Sequence, residues 1–314
     1  MIELSNVDKV FGRRPAVVDL SLKVSRGDIF GLLGHNGAGK STAIGMMLGQ
    51  VWPTAGTVRV GGFEVATQRR RALEKVGAIF ESPVFYDYLS GWRNLEILSH
   101  YTAPTPAKRI REIVELVGLT GREGSRVKTY SHGMRARLAL AQALLPQPEL
   151  LILDEPSDGL DPEGIHEMRE TVRRLHRELG LTILLSSHLL NEVEQVCNRI
   201  CVMHQGRKVF EGSLAEATQA RNWVRLVAGD FGAAVSRLRE ASLITGSSEG
   251  KFITLADGAG TDQVVRHLVE AGIPVFEIAR EERTLESFYL NLMQENSAAK
   301  KGKASGAPPP LAAS

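Results

Sequence analysis

A nine-residue segment near the N-terminus carries the most specific chemistry in this chain. Residues 34–42 read GHNGAGKST and match the pattern G-x-x-x-x-G-K-[ST]. A loop that wraps a triphosphate must turn several backbone N–H groups inward and approach the phosphate oxygens closely, which glycine permits. The residues expected to bind the nucleotide here are Gly34, Asn36, Gly37, Gly39, Lys40, Ser41 and Thr42.

The chemistry of this loop depends on the elements that flank it. Lys40 is expected to reach the β- and γ-phosphates, and the Ser41 hydroxyl to bind Mg²⁺. Residues from Thr42 onwards open a helix whose positive N-terminal end faces the phosphates. The apolar runs at 28–33 and 43–48 predict a buried strand before the loop and a helix after it. These flanks disfavour the alternative, a glycine-rich surface turn.

A second group of candidate functional residues follows another apolar run. Residues 150–156 read LLILDEP, which predicts a buried strand with Asp154 and Glu155 at its carboxyl end. Ligands bind at this end of the strands in open α/β sheets. Asp154 is expected to hold Mg²⁺, and Glu155 to act as the base or orienting group for a water that attacks the γ-phosphate. Alone, the acidic pair could be a strand end that meets solvent.

Two further segments point to the same kind of site. Residues 130–135 read YSHGMR and precede an apolar-rich helix, so Ser131 is either a plain N-cap or part of a second anion-binding helix end. The strand predicted at 181–187 delivers His188 to the edge that carries Glu155. The amphipathic helix predicted at 163–179 gives the intervening segment βαβ spacing.

Composition narrows the function classes. The 314 residues carry a net charge of +2, so no basic patch argues for a nucleic-acid partner. Cys197 and Cys201 make no disulfide framework and suggest a reduced cytoplasmic setting; a metal site that joins them to His204 matches no zinc spacing. The N-terminal segment predicts no signal peptide, and no run of about 18 apolar residues predicts a membrane span.

The ordered motifs GHNGAGKST, YSHGM, LLILDEP, SDGLD and SSH resemble those of ABC transporter ATP-binding subunits over residues 1 to about 215. The resemblance implies an α/β P-loop NTPase fold of ABC type, with an antiparallel β subdomain, a helical subdomain and a small C-terminal α/β accessory domain. It implies that ATP and Mg²⁺ bind, and that two copies form a head-to-tail dimer. Ser131 and Gly133 would then contact the γ-phosphate of ATP on the opposite subunit.

The same resemblance suggests roles for three more residues. His188 would contact the γ-phosphate, and Asp161 falls in the segment that crosses the dimer interface. Phe11 occupies the place of an aromatic residue that stacks on adenine, although a phenylalanine there could equally belong to the core.

The chain departs from the family pattern at two places. Glu81 stands where the family has a glutamine that contacts Mg²⁺ and the attacking water. Glutamate here is similar to the bacitracin-type exporter branch and can still bind Mg²⁺. Residues 132–134 read HGM in place of Gly-Gly-Gln, with Ser131 and Gly133 retained. We expect competent ATP sites; a slow or degenerate site is the alternative.

The expected domains are an ATP-binding domain at 1–219 with a helical subdomain at about 82–148, an accessory domain at 220–295 and a disordered tail at 296–314. In the accessory domain the pattern predicts alternating strands and helices in the order β-α-β-α-β-α. The predicted segments are strands at 222–228, 251–255 and 273–278, and helices at 232–240, 261–271 and 284–293. Its ending, TLESFYLNLM, resembles the C-terminal extension of ABC-2 exporter ATPases.

The expected partner is a transmembrane permease of ABC-2 type. The aromatic-rich segment Val84–Trp92 is expected to form its docking groove, although packed core could also explain some of these rings. The chain would then lie at the cytoplasmic face of the inner (plasma) membrane and power export of a drug, antibiotic, lipid or polysaccharide. Two alternatives stay open, a nucleotide-binding regulatory module with little or no hydrolysis and a soluble ABC ATPase acting on ribosomes or DNA.

Overall fold

A computed structural model gives the structure of the chain. It describes residues 1–80, 84–102, 104–218, 223–248, 250–280, 284–290 and 292–293. The chain divides into two compact units, Met1–Leu214 and Ala215–Ser314. Within the described ranges, every helix is too short or too polar to cross a bilayer.

The first unit contains both strands and helices. The strands are β1 (Ile2–Phe11), β2 (Arg14–Val24), β3 (Ile29–Leu33), β4 (Ala55–Val60), β5 (Phe63–Glu64), β6 (Val76–Ile79), β7 (Leu150–Asp154), β8 (Thr182–Ser187), β9 (Arg199–His204) and β10 (Arg207–Ser213). The helices are α1 (Lys40–Met47), α2 (Val65–Leu73), α3 (Gly91–Thr102), α4 (Ala107–Leu116), α5 (His132–Leu144), α6 (Pro162–Leu179) and α7 (Leu190–Val196). A short helix, α8 (Leu214–Thr218), spans the boundary between the units.

The central sheet has the strand order β10-β9-β3-β8-β7-β6. All its neighbouring strands are parallel except β10, which pairs antiparallel with β9. Every residue of β3, β7 and β8 is buried, as expected of parallel strands covered on both faces. This explains the continuous apolar runs in the sequence and confirms the predicted strands before the two phosphate-chemistry motifs.

A second sheet of the first unit is antiparallel, with the order β2-β1-β4-β5. Its buried face, which includes Leu4 and Leu20, shares one core with α1 and with Leu32 of the central sheet. The hairpin between β1 and β2 pairs Phe11 with Arg14 across a two-residue turn. The antiparallel subdomain is therefore packed against the helix that follows the glycine-rich loop.

The segment between β6 and β7 is mainly helical. It contains α3, α4, a 3₁₀ turn at Val127–Thr129 and α5. α4 buries Ile110, Ile113 and Val114, whose spacing places them on one face of an amphipathic helix. The P-loop fold with antiparallel and helical subdomains is thus confirmed.

The strands and helices of the second unit do not follow the predicted order. It contains β11 (Trp223–Ala228), α9 (Phe231–Glu240), β12 (Ile244–Ser248), β13 (Phe252–Leu255), α10 (Thr261–Glu270) and β14 (Val275–Arg280). This order is β-α-β-β-α-β, with sheet order β12-β13-β11-β14, the ferredoxin-like arrangement.

The predicted β-α-β-α-β-α order was wrong because it lacked β12. That strand reads ITGSS, whose glycine and serines give no apolar alternation, and it lies at the sheet edge with one pairing partner. The described residues 285–290 and 292–293 of the predicted last helix are helical. The predicted disordered tail at 296–314 lies outside the described residues, and the proposed domain limits stay predictions.

Candidate functional site

Sheet register brings three motif segments to one edge. Leu33 of β3 pairs with Ser187 of β8, and Asp154 of β7 pairs with Ser186 of β8. The residues that follow these positions are the glycine-rich loop, His188 and Glu155. Because parallel strands end at the same edge, segments more than 100 residues apart in the chain converge there.

The glycines of the loop are required by close packing as well as by backbone angles. Gly39 has a φ of 104°, and a Cβ placed on it would lie 2.6 Å from the carbonyl oxygen of Ala16. A Cβ on Gly34 would lie 2.6 Å from the carbonyl oxygen of Met203. A larger residue at either position would displace the loop from the neighbouring backbone. The loop leads directly into α1, so the helix N-terminus opens at the site.

Lys40 lies at the centre of a buried ionic network. Its side chain is 5% exposed, and its Nζ donates to the carbonyl oxygen of Gly34 at 2.7 Å. The same Nζ lies 3.0 Å from Oε1 of Glu155. Oε2 of Glu155 in turn accepts a hydrogen bond from Nδ1 of His188 at 2.7 Å. The three predicted catalytic residues, Lys40, Glu155 and His188, are therefore in direct contact.

This network controls the ionisation of Glu155. Burial of the carboxyl group would raise its pKa, but the hydrogen bonds and positive charges of Lys40 and His188 outweigh burial and lower the pKa of Glu155 below its ordinary value. Glu155 is thus held as a carboxylate at neutral pH, as a residue that orients or deprotonates water requires.

Ser186 links the two carboxylates that end β7. Glu155 has a left-handed φ of 48°, which costs a non-glycine residue about 1 kcal/mol. Its backbone N–H donates to Oγ of Ser186 at 2.9 Å, and that hydroxyl donates to Oδ1 of Asp154 at 2.5 Å. Ser186 therefore fixes both the backbone turn and the orientation of Asp154.

A cavity of about 520 Å³ opens over the glycine-rich loop. Its walls include the predicted nucleotide-binding residues Phe11, Asn36, Gly37, Gly39, Lys40, Ser41 and Thr42, together with Glu155. Phe11 is 51% exposed on this wall, so it is not a core residue. The volume and the aromatic ring on the wall suit a nucleotide.

A second cavity, of about 540 Å³, contains the candidate metal ligands. Ser41, Asp154 and Glu155 lie on its wall, and the Asp154 side chain is buried except for this opening. A hydroxyl and a carboxylate are the hard oxygen donors that Mg²⁺ prefers, so the residues fit this ion. The third predicted metal ligand, Glu81, lies outside the described residues.

The remaining predicted site residues line a third cavity of about 440 Å³. It contains Ser131, Gly133 and Asp161 and lies at the N-termini of α5 and α6. Oγ of Ser131 accepts from the N–H of Met134 at 3.2 Å, and Oδ1 of Asp161 accepts from the N–H of Gly164 at 2.9 Å. Both residues are N-caps, and neither is on the wall of the cavity over the glycine-rich loop.

Sequence reasoning missed two residues at the site. Ser186 precedes His188 by two positions, and a hydroxyl at the carboxyl end of a buried strand was the available signal. Arg14 is on the wall of the first cavity. Its position became apparent only from its pairing with Phe11 in the hairpin.

The fold and the network of Lys40, Glu155 and His188 define a P-loop NTPase. The family model described as "ABC transporter" matches residues 17–158. The uncharacterized ABC transporter ATP-binding protein YhcH of Bacillus subtilis (strain 168) is 37% identical over 94% of this chain and 96% of its own length. The chain therefore belongs to the ABC transporter ATP-binding proteins.

Other relatives and a solved structure agree. The bacitracin transport ATP-binding protein BcrA of Enterococcus faecalis is 36% identical over 93% of this chain and 96% of its own length. The daunorubicin resistance ATP-binding protein DrrA3 of Streptomyces coeruleorubidus is 34% identical over 96% of this chain and 98% of its own length. A solved ATP-binding subunit of an ABC transporter superposes with a TM-score of 0.62 and 28% identity, covering 70% of this chain and 92% of that chain. This chain is an ATPase subunit of an ABC transporter.

Proposed function

We propose that this chain powers an ABC-2 type permease that exports a drug or antibiotic. The observation that carries this proposal is full-length similarity to subunits named for bacitracin transport and daunorubicin resistance, which includes the C-terminal unit. The chain would lie at the cytoplasmic face of the membrane through its permease.

In the proposed site, ATP occupies the cavity over the glycine-rich loop. Phe11 stacks on adenine, and Lys40 binds the β- and γ-phosphates. Ser41 and Asp154 are the residues that would hold Mg²⁺, which supplies positive charge to the phosphate oxygens. Glu155 then orients and deprotonates the attacking water, and His188 contacts the γ-phosphate.

ATP binding requires a rearrangement of the network around Lys40. In the structure, Glu155 occupies the contact that a phosphate oxygen needs on Lys40, at 3.0 Å from Nζ. Phosphate binding releases Glu155 from Lys40 and leaves its carboxylate free to face water. His188, which already contacts the other oxygen of Glu155, keeps the carboxylate near the γ-phosphate.

The third cavity supports a head-to-tail dimer. Ser131 and Gly133 lie at the N-terminus of the 13-residue helix α5, where backbone N–H groups and the helix dipole favour an anion. They do not line the cavity that contains Lys40. We propose that they contact the γ-phosphate of ATP on a second copy, with Asp161 beside them at the interface.

The segment from Val84 to Trp92 is the proposed permease-docking surface. Val84 is 88% exposed and Tyr88 68% exposed, whereas Phe85 is buried. The side chain of Asn94, which is fully buried, accepts from the N–H of Tyr86 at 2.8 Å and donates to the carbonyls of Tyr86 and Ser90. Val84 and Tyr88 are therefore exposed on a loop whose backbone is hydrogen-bonded to a buried side chain, which supports a docking role.

This docking surface is connected to the third cavity. Asp87 forms an ion pair with Arg135 of α5 at 2.7 Å, and its carbonyl accepts from the N–H of Lys128 at 3.0 Å. Arg135 lies one helical turn after Ser131. A movement of the docked permease would thus be transmitted to the phosphate-binding end of α5.

A complementation experiment tests the dimeric ATPase. Lys40→Ala removes the phosphate contact of one cavity, and Ser131→Ala impairs the other, so each purified variant alone should release little phosphate from ATP. If the two cavities act in trans, half of the dimers in an equimolar mixture contain one copy of each variant, and each of these mixed dimers has one intact site out of two. The mixture should then release phosphate at about a quarter of the wild-type rate. A mixture as inactive as its components, while wild type hydrolyses ATP, would refute the head-to-tail site.

The export assignment requires a separate test in cells. A strain that lacks this chain should become sensitive to members of a panel of peptide and anthracycline antibiotics. Wild-type protein should restore resistance, and Lys40→Ala should not. Unchanged sensitivity across the panel would contradict antibiotic export while leaving the ATPase intact.

A further inference from the structure

The β1–β2 hairpin carries a cation on the wall of the nucleotide cavity. Arg14 lines this cavity together with Phe11, Ser41 and Thr42. Phe11 and Arg14 are direct cross-strand partners, so their side chains extend from the same face of the hairpin. We propose that Arg14 binds the α-phosphate of the nucleotide. This proposal rests on the proposed ATP site and adds a binding residue to it.

The position of Arg14 along the cavity selects the α-phosphate. Lys40 and the N-terminus of α1 define the end that receives the β- and γ-phosphates. Phe11 marks the end that receives the base. Arg14 pairs with Phe11 and lines the cavity together with Ser41 and Thr42 of α1, so it has neighbours from both the base end and the phosphate end. The anionic group of ATP that lies between base and β-phosphate is the α-phosphate.

The charge of Arg14 is available for this contact. Lys40, the other cation of the cavity, is engaged by Glu155 and by the carbonyl of Gly34. Arg14 has no ion-pair partner among the described residues, and it is exposed on the cavity wall. A guanidinium binds phosphate oxygens through charge-assisted hydrogen bonds and keeps its charge at every relevant pH.

The same hairpin provides a matched control. Arg13 has the same side chain, is exposed, and belongs to the two-residue turn, but it is not on the cavity wall. A general effect of positive charge near the site would appear equally for both arginines. A direct phosphate contact would appear for Arg14 alone.

The test is calorimetric titration of the full-length protein and its variants with ATP and with ADP. Arg14→Ala should weaken both nucleotides about tenfold, because both contain the α-phosphate and one charge-assisted hydrogen bond is lost. Arg13→Ala should change both affinities less than about twofold. In steady-state hydrolysis, Arg14→Ala should raise KM for ATP, and Arg13→Ala should not.

Two conservative variants separate phosphate from ribose recognition. Arg14→Lys keeps the charge and should retain most of the affinity, whereas Arg14→Gln keeps neutral donors and should resemble Arg14→Ala. Wild-type affinity in Arg14→Gln would indicate a ribose contact and overturn the proposal. So would equal losses in Arg13→Ala and Arg14→Ala, or a loss for ATP but not ADP. Absence of ATP binding by the wild-type protein would instead overturn the nucleotide site, and this proposal with it.

Discussion

Replacing Glu155 with glutamine should strengthen nucleotide binding while it abolishes turnover. In the structure, the Glu155 carboxylate lies 3.0 Å from Nζ of Lys40 and competes with any phosphate for that ammonium group. Glu155→Gln keeps the size of the side chain and removes its negative charge. The variant therefore frees Lys40 for phosphate and removes repulsion between Glu155 and the incoming triphosphate.

The magnitude follows from the distance and the exposure of the pair. At 3.0 Å, two unit charges attract by about 5.5 kcal/mol at an effective dielectric constant of 20. The side chain of Glu155 is 23% exposed, so solvent recovers part of this energy when the contact breaks. The contact between phosphate and Lys40 forms in both proteins and cancels in the comparison, whereas the amide oxygen of the variant still accepts a hydrogen bond from Lys40 and offsets much of the remainder. We expect a net gain of about 1.4 kcal/mol, equivalent to tenfold tighter binding.

ADP is the informative ligand for this measurement. In the proposed site its β-phosphate reaches Lys40, but ADP lacks the γ-phosphate that would bridge two subunits, so dimerisation should not contribute to its affinity. Calorimetric titration should give a dissociation constant for ADP about tenfold lower in Glu155→Gln than in wild type. Asp158→Asn removes a carboxylate from the neighbouring cavity without touching Lys40, and it should change ADP affinity less than about twofold.

Hydrolysis provides the second readout. Phosphate release from ATP should fall at least about a hundredfold in Glu155→Gln, because the amide cannot accept a proton from water. Equal or weaker ADP binding in this variant would refute the view that Glu155 occupies the phosphate contact of Lys40. Normal phosphate release would refute its role as the base.

Two further predictions concern stability. Burial raises the pKa of Glu192 above its ordinary value of 4.5. The wild-type protein therefore loses stability as the pH rises from 4.5 through the raised pKa, because the folded state holds the proton more tightly than the unfolded state. Glu192→Gln has no carboxyl group to ionise and avoids this loss. Thermal unfolding should therefore show a gain for Glu192→Gln that is larger at pH 8 than at pH 4, and a pH-independent difference would contradict this reasoning. Asn94→Ala removes three hydrogen bonds from a fully buried side chain, which should lower the free energy of unfolding by about 2–4 kcal/mol. Denaturant titration measures this loss, ADP affinity serves as the control, and an unchanged midpoint would show that Asn94 does not hold the Tyr86–Ser90 loop.

The predictability of the central fold has a simple physical origin. Strands buried on both faces, such as β3 and β7, must be apolar throughout, so their runs are visible in the sequence. Edge strands are subject to a weaker constraint. β12 pairs on one side only and tolerates glycine and serine. Its ITGSS segment was therefore not predicted as a strand, and the predicted order of elements in the second unit was wrong.

The amino-acid sequence determined which chemical groups are candidates for the site. The glycine-rich loop with Lys40 and Ser41, and the strand end with Asp154 and Glu155, are local motifs whose expected roles follow from residue type and spacing. Such motifs are readable because each requirement, a close backbone approach or a carboxylate at a strand end, concerns neighbouring residues.

Only the tertiary structure decided which of these groups are in contact. Strand order places Lys40 against Glu155, 115 positions later in the chain, and hairpin register places Arg14 beside Phe11. The tertiary structure also places Ser131 at the N-terminus of a different helix, away from the wall of the cavity over the glycine-rich loop. These contacts depend on sheet register and on packing between distant segments. Residue type and spacing along the chain do not predict either of them.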